Sequence, residues 1–137
     1  LPRPMIDEDN FDFSFSGLKT AVVNLVKSTK LTLDVRAQIA SEFQDAIVDV
    51  LVNKTIRAAK KYNAKSIVVG GGVAANDHLR SQFTVNSLQL RIPVYFPSKE
   101  LSVDNGAMIA TAAFYGGNLV VPLKLQVNPG LHFVKRV

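Results

Sequence analysis

The sequence predicts an α/β protein built from βαβ units with flanking helices, and two stretches carry this prediction. Residues 67–69 form a short run with apolar side chains on both faces, typical of a parallel strand that is covered on both sides. Three glycines at 70–72 follow, and Asn76 or Asp77 then caps a helical segment with Leu79 and Phe83 on one side. The apolar stretch IPVYF at 92–96 is the next predicted strand. Strand, helix and strand in this order form one βαβ unit.

A strand and a helix are predicted near the start of the chain. The segment FDFSFSG at 11–17 alternates phenylalanine with polar residues, which indicates a strand with one buried face that Gly17 ends. Apolar residues at helical spacing then predict a helix from Leu18 to about Lys27.

A long second helix is predicted to run to about Lys61, with Asn63 as the residue that stops it. Either Thr32 or Asp34 can cap its start. Acidic residues come early and basic residues late, which complements the helix dipole and is typical of a solvated face. Contact with RNA is the alternative for the basic residues. The predicted buried stripe is Val35, Ile39, Phe43, Ile47, Val50 and Leu51, and the basic cluster is Lys54, Arg57, Lys60, Lys61 and Lys65.

A last helix is predicted from Asp104 to about Tyr115, ended by Gly116 and Gly117, before an irregular tail from Val120. These strands are few for a parallel sheet that is buried on both faces. We therefore expect the chain to be one lobe of a longer protein. The predicted inward-facing residues of the last helix are Met108, Ile109, Ala112 and Ala113.

Composition excludes several classes of protein. The 137 residues, 47% of them hydrophobic, fit one domain with a real core. No apolar run approaches the roughly 20 residues of a membrane span, and no secretory signal pattern is present. The absence of cysteine excludes disulfides, thiolate zinc sites and cysteine nucleophiles, and is compatible with a reducing cytosol. The net charge of +5 would favour a polyanionic partner without identifying one.

The glycines at 70–72 are candidate ligand contacts. Without side chains at Gly70, Gly71 and Gly72, a purine or ribose can lie against the backbone, and Asn76 offers both a donor and an acceptor. The spacing matches neither G-x-G-x-x-G nor a phosphate-binding loop that ends in Gly-Lys-Ser/Thr. A tight turn that needs a positive φ, followed by a capping Asn76, is the alternative.

Asp104 is either the N-cap of the last helix or a metal ligand at the edge of a cleft, on the same side of the sheet as the glycines. His78 and His132 belong to no metal-binding pattern and receive no catalytic role.

A phosphate contact near the first helix is also considered. Ser14, Ser16 and Thr20 lie near Lys19, but SGLKT departs from the phosphate-binding order. Strand termination and helix capping are therefore favoured for these residues.

Three stretches, DFSFSGLKTAV, VVGGGVAANDHLR and DNGAMIA, together with PRPM near the start, closely resemble the bacterial or organellar TsaD family. These are subunits that synthesise threonylcarbamoyladenosine in tRNA, formerly called O-sialoglycoprotein endopeptidases. The resemblance implies an actin-like fold of two ribonuclease H-type lobes that close over a nucleotide. Residues 1–137 would then be most of the C-terminal lobe, with the N-terminal lobe absent.

The resemblance also implies a function and its residues. Family members move threonylcarbamoyl from threonylcarbamoyl-adenylate to the adenosine beside the anticodon of tRNA. Asn76 matches the nucleotide-contacting asparagine, Gly70, Gly71 and Gly72 match the adenosine-side loop, and Asp104 matches the metal-binding aspartate. The metal would be one divalent ion, iron or zinc, whose two histidine ligands belong to an H-x-x-x-H motif that this chain lacks. A non-catalytic nucleotide-binding or partner-docking lobe is the alternative, and a metalloprotease is less favoured.

Partners and location follow from the same resemblance. The expected partners are tRNA, the adenylate or ATP, a TsaB-type subunit, a TsaE-type ATPase and a second copy of the chain, with no membrane. The expected location is the cytoplasm, or the mitochondrion if the protein is organellar.

Overall fold

A computed structural model describes residues 1–116 of the chain. The chain divides into two compact units, Leu1–Val103 and Asp104–Val137, and each is described by itself. The fold mixes helices with a parallel sheet, so the α/β prediction is confirmed. In chain order the elements are α1 (Ser16–Ser28), α2 (Leu33–Lys61), β1 (Ile67–Val68), a 3₁₀ turn (Gly72–Ala75), α3 (Asp77–Leu90), β2 (Val94–Tyr95) and α4 (Gly106–Gly116).

The two strands form the predicted βαβ unit. They are parallel, with Ile67 opposite Val94 and Val68 opposite Tyr95, and α3 connects them. The Ile67 amide donates to the Pro93 carbonyl oxygen at 2.9 Å. Each strand has two residues, so both are shorter than the sequence predicted.

Only one face of this sheet is buried by the first unit. Ile67 is 7% exposed, whereas the next residue, Val68, is 77% exposed. The expectation of apolar cover on both faces is therefore wrong for the described residues. A core cluster forms beneath the buried face from Val48, Val52, Ile56, Ala59, Ile67, Leu79 and Phe83.

The long helix α2 follows its prediction closely. The Thr32 hydroxyl oxygen accepts a hydrogen bond from the Val35 amide at 3.3 Å, and Asn63 ends the helix region with a positive φ of 49°. The buried face is rotated from the predicted stripe, because Val50 alone of that stripe is fully buried. The buried residues of α2 are Ala46, Val48, Val50, Val52, Lys54, Ile56 and Ala59.

The predicted strand at 11–15 does not form, and this prediction is wrong. Alternation of apolar and polar residues makes a strand only where a neighbouring strand pairs with its backbone. Here the Asp12 carbonyl oxygen instead accepts a hydrogen bond from the Lys54 ammonium at 2.7 Å. The ring of Phe11 packs against Tyr62 at 5.7 Å, and Phe13 is exposed.

The two shorter helices differ from their predictions in detail. At the start of α1, Phe15 is the N-cap residue and makes no side-chain capping bond, so the predicted serine capping is wrong, while Leu18 is fully buried. The helix α4 exists, but none of its residues is buried, and Met108 and Ile109 are exposed. Their predicted inward packing is therefore wrong. Gly117 and the tail from Val120 lie outside the described residues.

Among residues 1–116, no helix combines the length and the apolar character that a membrane span requires.

Candidate functional site

Residues 70–76 form a turn between β1 and α3, which we call the glycine turn. Two hydrogen bonds close it, from the Ala74 amide to the Gly71 carbonyl oxygen at 2.9 Å and from the Asn76 amide to the Val73 carbonyl oxygen at 3.0 Å. The turn lies where a parallel strand ends and a helix begins. Ligands bind at such junctions in open α/β sheets, because unpaired amides and the helix dipole are found there.

The fold itself explains one of the three glycines. Gly71 has a φ of +88°, which L side chains rarely adopt, so a tight-turn role is confirmed at this position. Gly70 and Gly72 have no such φ, and a Cβ added to either would meet no atom within 4 Å. Their backbone is therefore bare beside open space, as it is at Gly17 of α1.

Asn76 is the N-cap of α3, as the sequence predicted. Its Oδ1 accepts a hydrogen bond from the Leu79 amide at 2.9 Å. Its Nδ2 donates to Gln44 Oε1 at 3.0 Å, which links the glycine turn to α2. A carboxamide nitrogen carries two hydrogens, so the bond to Gln44 leaves the second hydrogen for a ligand.

A cavity of about 540 Å³ adjoins the glycine turn. Gly70 and Val73 contribute to its lining from the turn, and Val68 contributes from β1. Phe43 of α2 adds an aromatic surface, and Lys19 of α1 adds a positive charge. This volume is within the range of small-molecule sites, roughly 300–1,000 Å³. A mostly apolar cavity beside bare backbone suits a flat ring with an anionic group.

Arg80 joins the glycine turn to the segment after β2, and sequence patterns gave no sign of it. Its Nε donates to the Ala74 carbonyl oxygen at 2.6 Å. Its Nη2 donates to the Pro97 carbonyl oxygen at 2.7 Å and to Ser102 Oγ at 3.3 Å. The guanidinium also stacks over Phe96, with 5.0 Å between Cζ and the ring centroid.

An ion pair on the surface joins the same two regions. Lys99 Nζ lies 2.7 Å from Asp77 Oδ1, and this contact holds the pKa of Asp77 below its usual 3.8. Both side chains are largely exposed, so the pair adds little to stability.

Asp104 belongs to the second unit. Asn105 Oδ1 accepts a hydrogen bond from the Met108 amide at 2.8 Å, which makes Asn105 the cap of α4. The N-cap interpretation of Asp104 is therefore wrong, and its carboxylate is exposed. In the described part of the chain, no three His, Cys, Asp or Glu side chains converge as a metal site would require. The metal-ligand role of Asp104 stays a prediction.

The basic cluster, whose members lie on α2 except for Lys65, is not a uniform solvated face. Lys54 is fully buried, and its ammonium donates to the Met5 carbonyl oxygen at 2.7 Å and to Asn10 Oδ1 at 3.1 Å. Arg57 donates to the carbonyl oxygens of Ile6, at 3.0 Å, and of Asn10, at 3.0 Å. Two of the five basic residues therefore fix the N-terminal segment, which limits an RNA-contacting role to the exposed members Lys60, Lys61 and Lys65.

The remaining candidates have structural contacts. His78 Nε2 lies 2.9 Å from Asp45 Oδ1 and links α3 to α2. The Thr20 hydroxyl donates to the Ser16 carbonyl oxygen at 3.0 Å, within α1. His132 lies outside the described residues.

Fold and site together define an α/β protein with a strand, glycine turn and capped helix at the usual ligand position of its class. The TsaD family, described as tRNA N6-adenosine threonylcarbamoyltransferase, matches residues 1–111. The chain belongs to this family.

Curated relatives of that name are similar over most of the chain. The protein of Ralstonia pickettii (strain 12J) is 46% identical over 134 residues, which cover 94% of this chain and 36% of the relative. The protein of Moorella thermoacetica is 48% identical over 135 residues, which cover 96% of this chain and 40% of the relative. The protein of Thiobacillus denitrificans is 50% identical over 112 residues, which cover 82% of this chain and 32% of the relative. The chain thus spans about a third to two fifths of the length of these relatives.

Proposed function

We propose that this chain supplies the nucleotide-binding part of an enzyme that modifies tRNA with a threonylcarbamoyl group. The donor would be threonylcarbamoyl-adenylate and the acceptor the exocyclic amine of the adenosine beside the anticodon. Family membership and the names of the relatives support this proposal. One structural observation carries it, namely that a turn with bare glycine backbone, between a parallel strand and a capped helix, borders a cavity of about 540 Å³.

The adenylate would bind with its ring against the glycine turn. Asn76 would donate its second Nδ2 hydrogen to the nucleotide, while Oδ1 keeps the capping bond from the Leu79 amide. Lys19, in the wall of the adjoining cavity, would attract the phosphate. These contacts hold the donor in place without providing a nucleophile.

The transfer forms a C–N bond between the carbamoyl carbon and the adenosine amine, breaks the C–O bond to the phosphate, and releases AMP and a proton. Such a reaction needs an aligned amine, a stabilised oxyanion and a good leaving group. A carboxylate oxygen is a suitable ligand for iron or zinc, so Asp104 fits a metal site completed by groups from outside the described residues. Such a metal would supply charge stabilisation.

The finer features of the family are part of the same proposal. We infer an actin-like fold of two lobes, with residues 1–137 forming most of the C-terminal lobe. The partners would be tRNA, a TsaB-type subunit, a TsaE-type ATPase and a second copy of the chain, in the cytoplasm or a mitochondrion. The 137-residue chain alone would bind a nucleotide without modifying tRNA, because it spans only part of its relatives.

A set of glycine substitutions tests the nucleotide site by calorimetric titration of the chain with AMP. Gly72→Ala adds a methyl group in the open space beside the turn, at a helical position, so stability should hold or rise by about 0.4–1 kcal/mol. AMP affinity should fall at least about tenfold, because the methyl group keeps the ligand off the backbone. Gly17→Ala, also in open space but on α1, is the matched control and should bind normally.

Gly71→Ala separates folding from binding, since its φ of +88° predicts a loss of about 1–3 kcal/mol of stability. Wild-type AMP affinity in Gly72→Ala would contradict the proposed contact. Failure of the unmodified chain to bind AMP would favour a partner-docking lobe instead.

A further inference from the structure

Arg80 has a geometry that suits joining two segments of the chain. It lies one turn into α3 and is half-buried, and its planar guanidinium presents donors in a fixed fork. Its Nε donates to the Ala74 carbonyl oxygen at 2.6 Å. Its Nη2 donates to the Pro97 carbonyl oxygen at 2.7 Å. Hydrogen bonds from a charged donor are roughly twice as strong as neutral ones.

At the first end of this link is the glycine turn. Ala74 is 1% exposed, and its amide donates to the Gly71 carbonyl oxygen at 2.9 Å. The same residue therefore receives Arg80 on its carbonyl side and closes the turn on its amide side. Ala74 therefore joins Gly71 to the guanidinium through two hydrogen bonds.

At the second end are residues 97–102, a compact turn that leads into Asp104. The Ser102 hydroxyl donates to the Ser98 carbonyl oxygen at 2.9 Å and accepts from Arg80, and Ser102 is buried. Leu101 closes the turn through a 3.2 Å bond from its amide to the Ser98 carbonyl oxygen. The guanidinium stacked on Phe96 fixes the direction of the fork toward this turn.

We propose that Arg80 is a positioning residue that makes the glycine turn and residues 97–102 move as one body, so that a nucleotide on the turn also orders the chain that leads into Asp104. The ligand part of this inference rests on the proposed function. The mechanical part does not, because it concerns the chain without ligand. A lysine cannot replace Arg80, since an ammonium is a point charge without the fork.

Hydrogen exchange of the 137-residue chain tests the link, first without ligand. In Arg80→Lys, amides at 71–76 and at 98–103 should both exchange at least about fivefold faster, as lost charge-assisted bonds predict. Ser102→Ala removes a contact at one end and keeps the Arg80 bonds to Ala74 and Pro97, so it should accelerate 98–103 and, through the link, 71–76 as well. Lys99→Met breaks only the exposed ion pair and should change neither segment appreciably.

Addition of AMP tests the coupling. In the unmodified chain both segments should gain protection, whereas in Arg80→Lys protection should be confined to 71–76. Equal protection of both segments in Arg80→Lys, or acceleration of only one segment without ligand, would overturn the proposal.

Two controls keep the test decisive. If AMP protects nothing in the unmodified chain, the proposed function fails, and the ligand-free comparison still decides the role of Arg80. The amides of Val48 and Val52, in the core part of α2, report whether Arg80→Lys folds. If it does not fold, Ser102→Ala still decides the link, because acceleration of 98–103 with no change at 71–76 would overturn it.

Discussion

The carboxamide nitrogen of Asn76 donates to the side-chain oxygen of Gln44 at 3.0 Å, across 32 residues of sequence. Together with the capping bond to the Leu79 amide, this contact fixes the plane and the orientation of the Asn76 amide group. The second Nδ2 hydrogen therefore has a defined direction, which would lower the ordering cost of the ligand contact proposed above.

Two substitutions separate the capping role of Asn76 from its proposed ligand contact. Asn76→Asp keeps a capping oxygen, so its thermal midpoint should stay near that of the unmodified chain, while AMP affinity falls because the donor is lost. Asn76→Ala should lose affinity and also about 0.5–2 kcal/mol of stability. Differential scanning fluorimetry and calorimetric titration measure the two effects, and wild-type affinity in Asn76→Asp would leave the residue as a cap alone.

Replacement of Lys54 should destabilise the chain although the residue lies in a basic cluster. Lys54→Met leaves the carbonyl oxygens of Met5 and Asp12 without their donor, at a cost of about 1–3 kcal/mol in the free energy of unfolding. Lys60→Met, an exposed position on the same helix, should change it by no more than about 0.5 kcal/mol. Urea denaturation compares the two variants, and equal losses would show that the buried contacts contribute nothing specific.

The link between Arg3 and Glu42 predicts a pH dependence of stability. Arg3 Nη1 lies 2.5 Å from Glu42 Oε1, and this hydrogen bond is the main cause that lowers the pKa of Glu42 below its usual 4.5. A carboxyl group with a lowered pKa stabilises the folded chain above its unfolded pKa, and this contribution is lost as the pH falls through the folded value.

Urea unfolding measured between about pH 6 and pH 3 should therefore show a decline below about pH 4.5 that is smaller in Arg3→Met. Arg36→Met, which removes a charge elsewhere on the exposed surface, should keep the wild-type decline. Identical pH profiles for Arg3→Met and the unmodified chain would contradict the assignment.

Asp104 can be tested as a metal ligand without interference from helix capping. Because Asn105 caps α4, both Asp104→Asn and Asp104→Ala should leave stability nearly unchanged. In a full-length protein that contains this chain, each should lose most of its bound iron or zinc and its transfer rate, since an anionic ligand is removed. Metal content by mass spectrometry decides the matter, and a full complement of metal in Asp104→Asn would refute the role.

Local signals in the sequence predicted much of the fold. The cap at Thr32, the stop at Asn63 and the cap at Asn76 each depend on one side chain and its immediate backbone, and each is confirmed. The strand predicted at 11–15 failed because pairing depends on a neighbour, and alternation along one segment cannot show whether that neighbour exists. The predicted inward face of α4 is wrong for a similar reason, because helical spacing along one segment cannot show whether a neighbouring element covers that face.

The glycine turn was predicted from the sequence, but the contacts that hold it in place were not. Three adjacent glycines are visible in a sequence, and so is the asparagine after them. Arg80 and Lys54 were not predicted, because their partners are backbone carbonyl oxygens such as those of Ala74 and Met5, which carry no residue-specific signal. A charged residue that bonds mainly to backbone resembles any other surface charge in a linear pattern.

The buried Lys54 also has a consequence for the order of folding. Its ammonium binds groups that lie 49, 44 and 42 residues earlier in the chain. Such distant contacts carry a high loop-closure entropy, so residues 5–12 can dock only after α2 has formed and fixed the lysine. On the ribosome, residues 5–12 are made before α2, but we expect them to become fixed only after it. The nascent chain would therefore hold these residues without their lysine contact until Lys54 has left the exit tunnel.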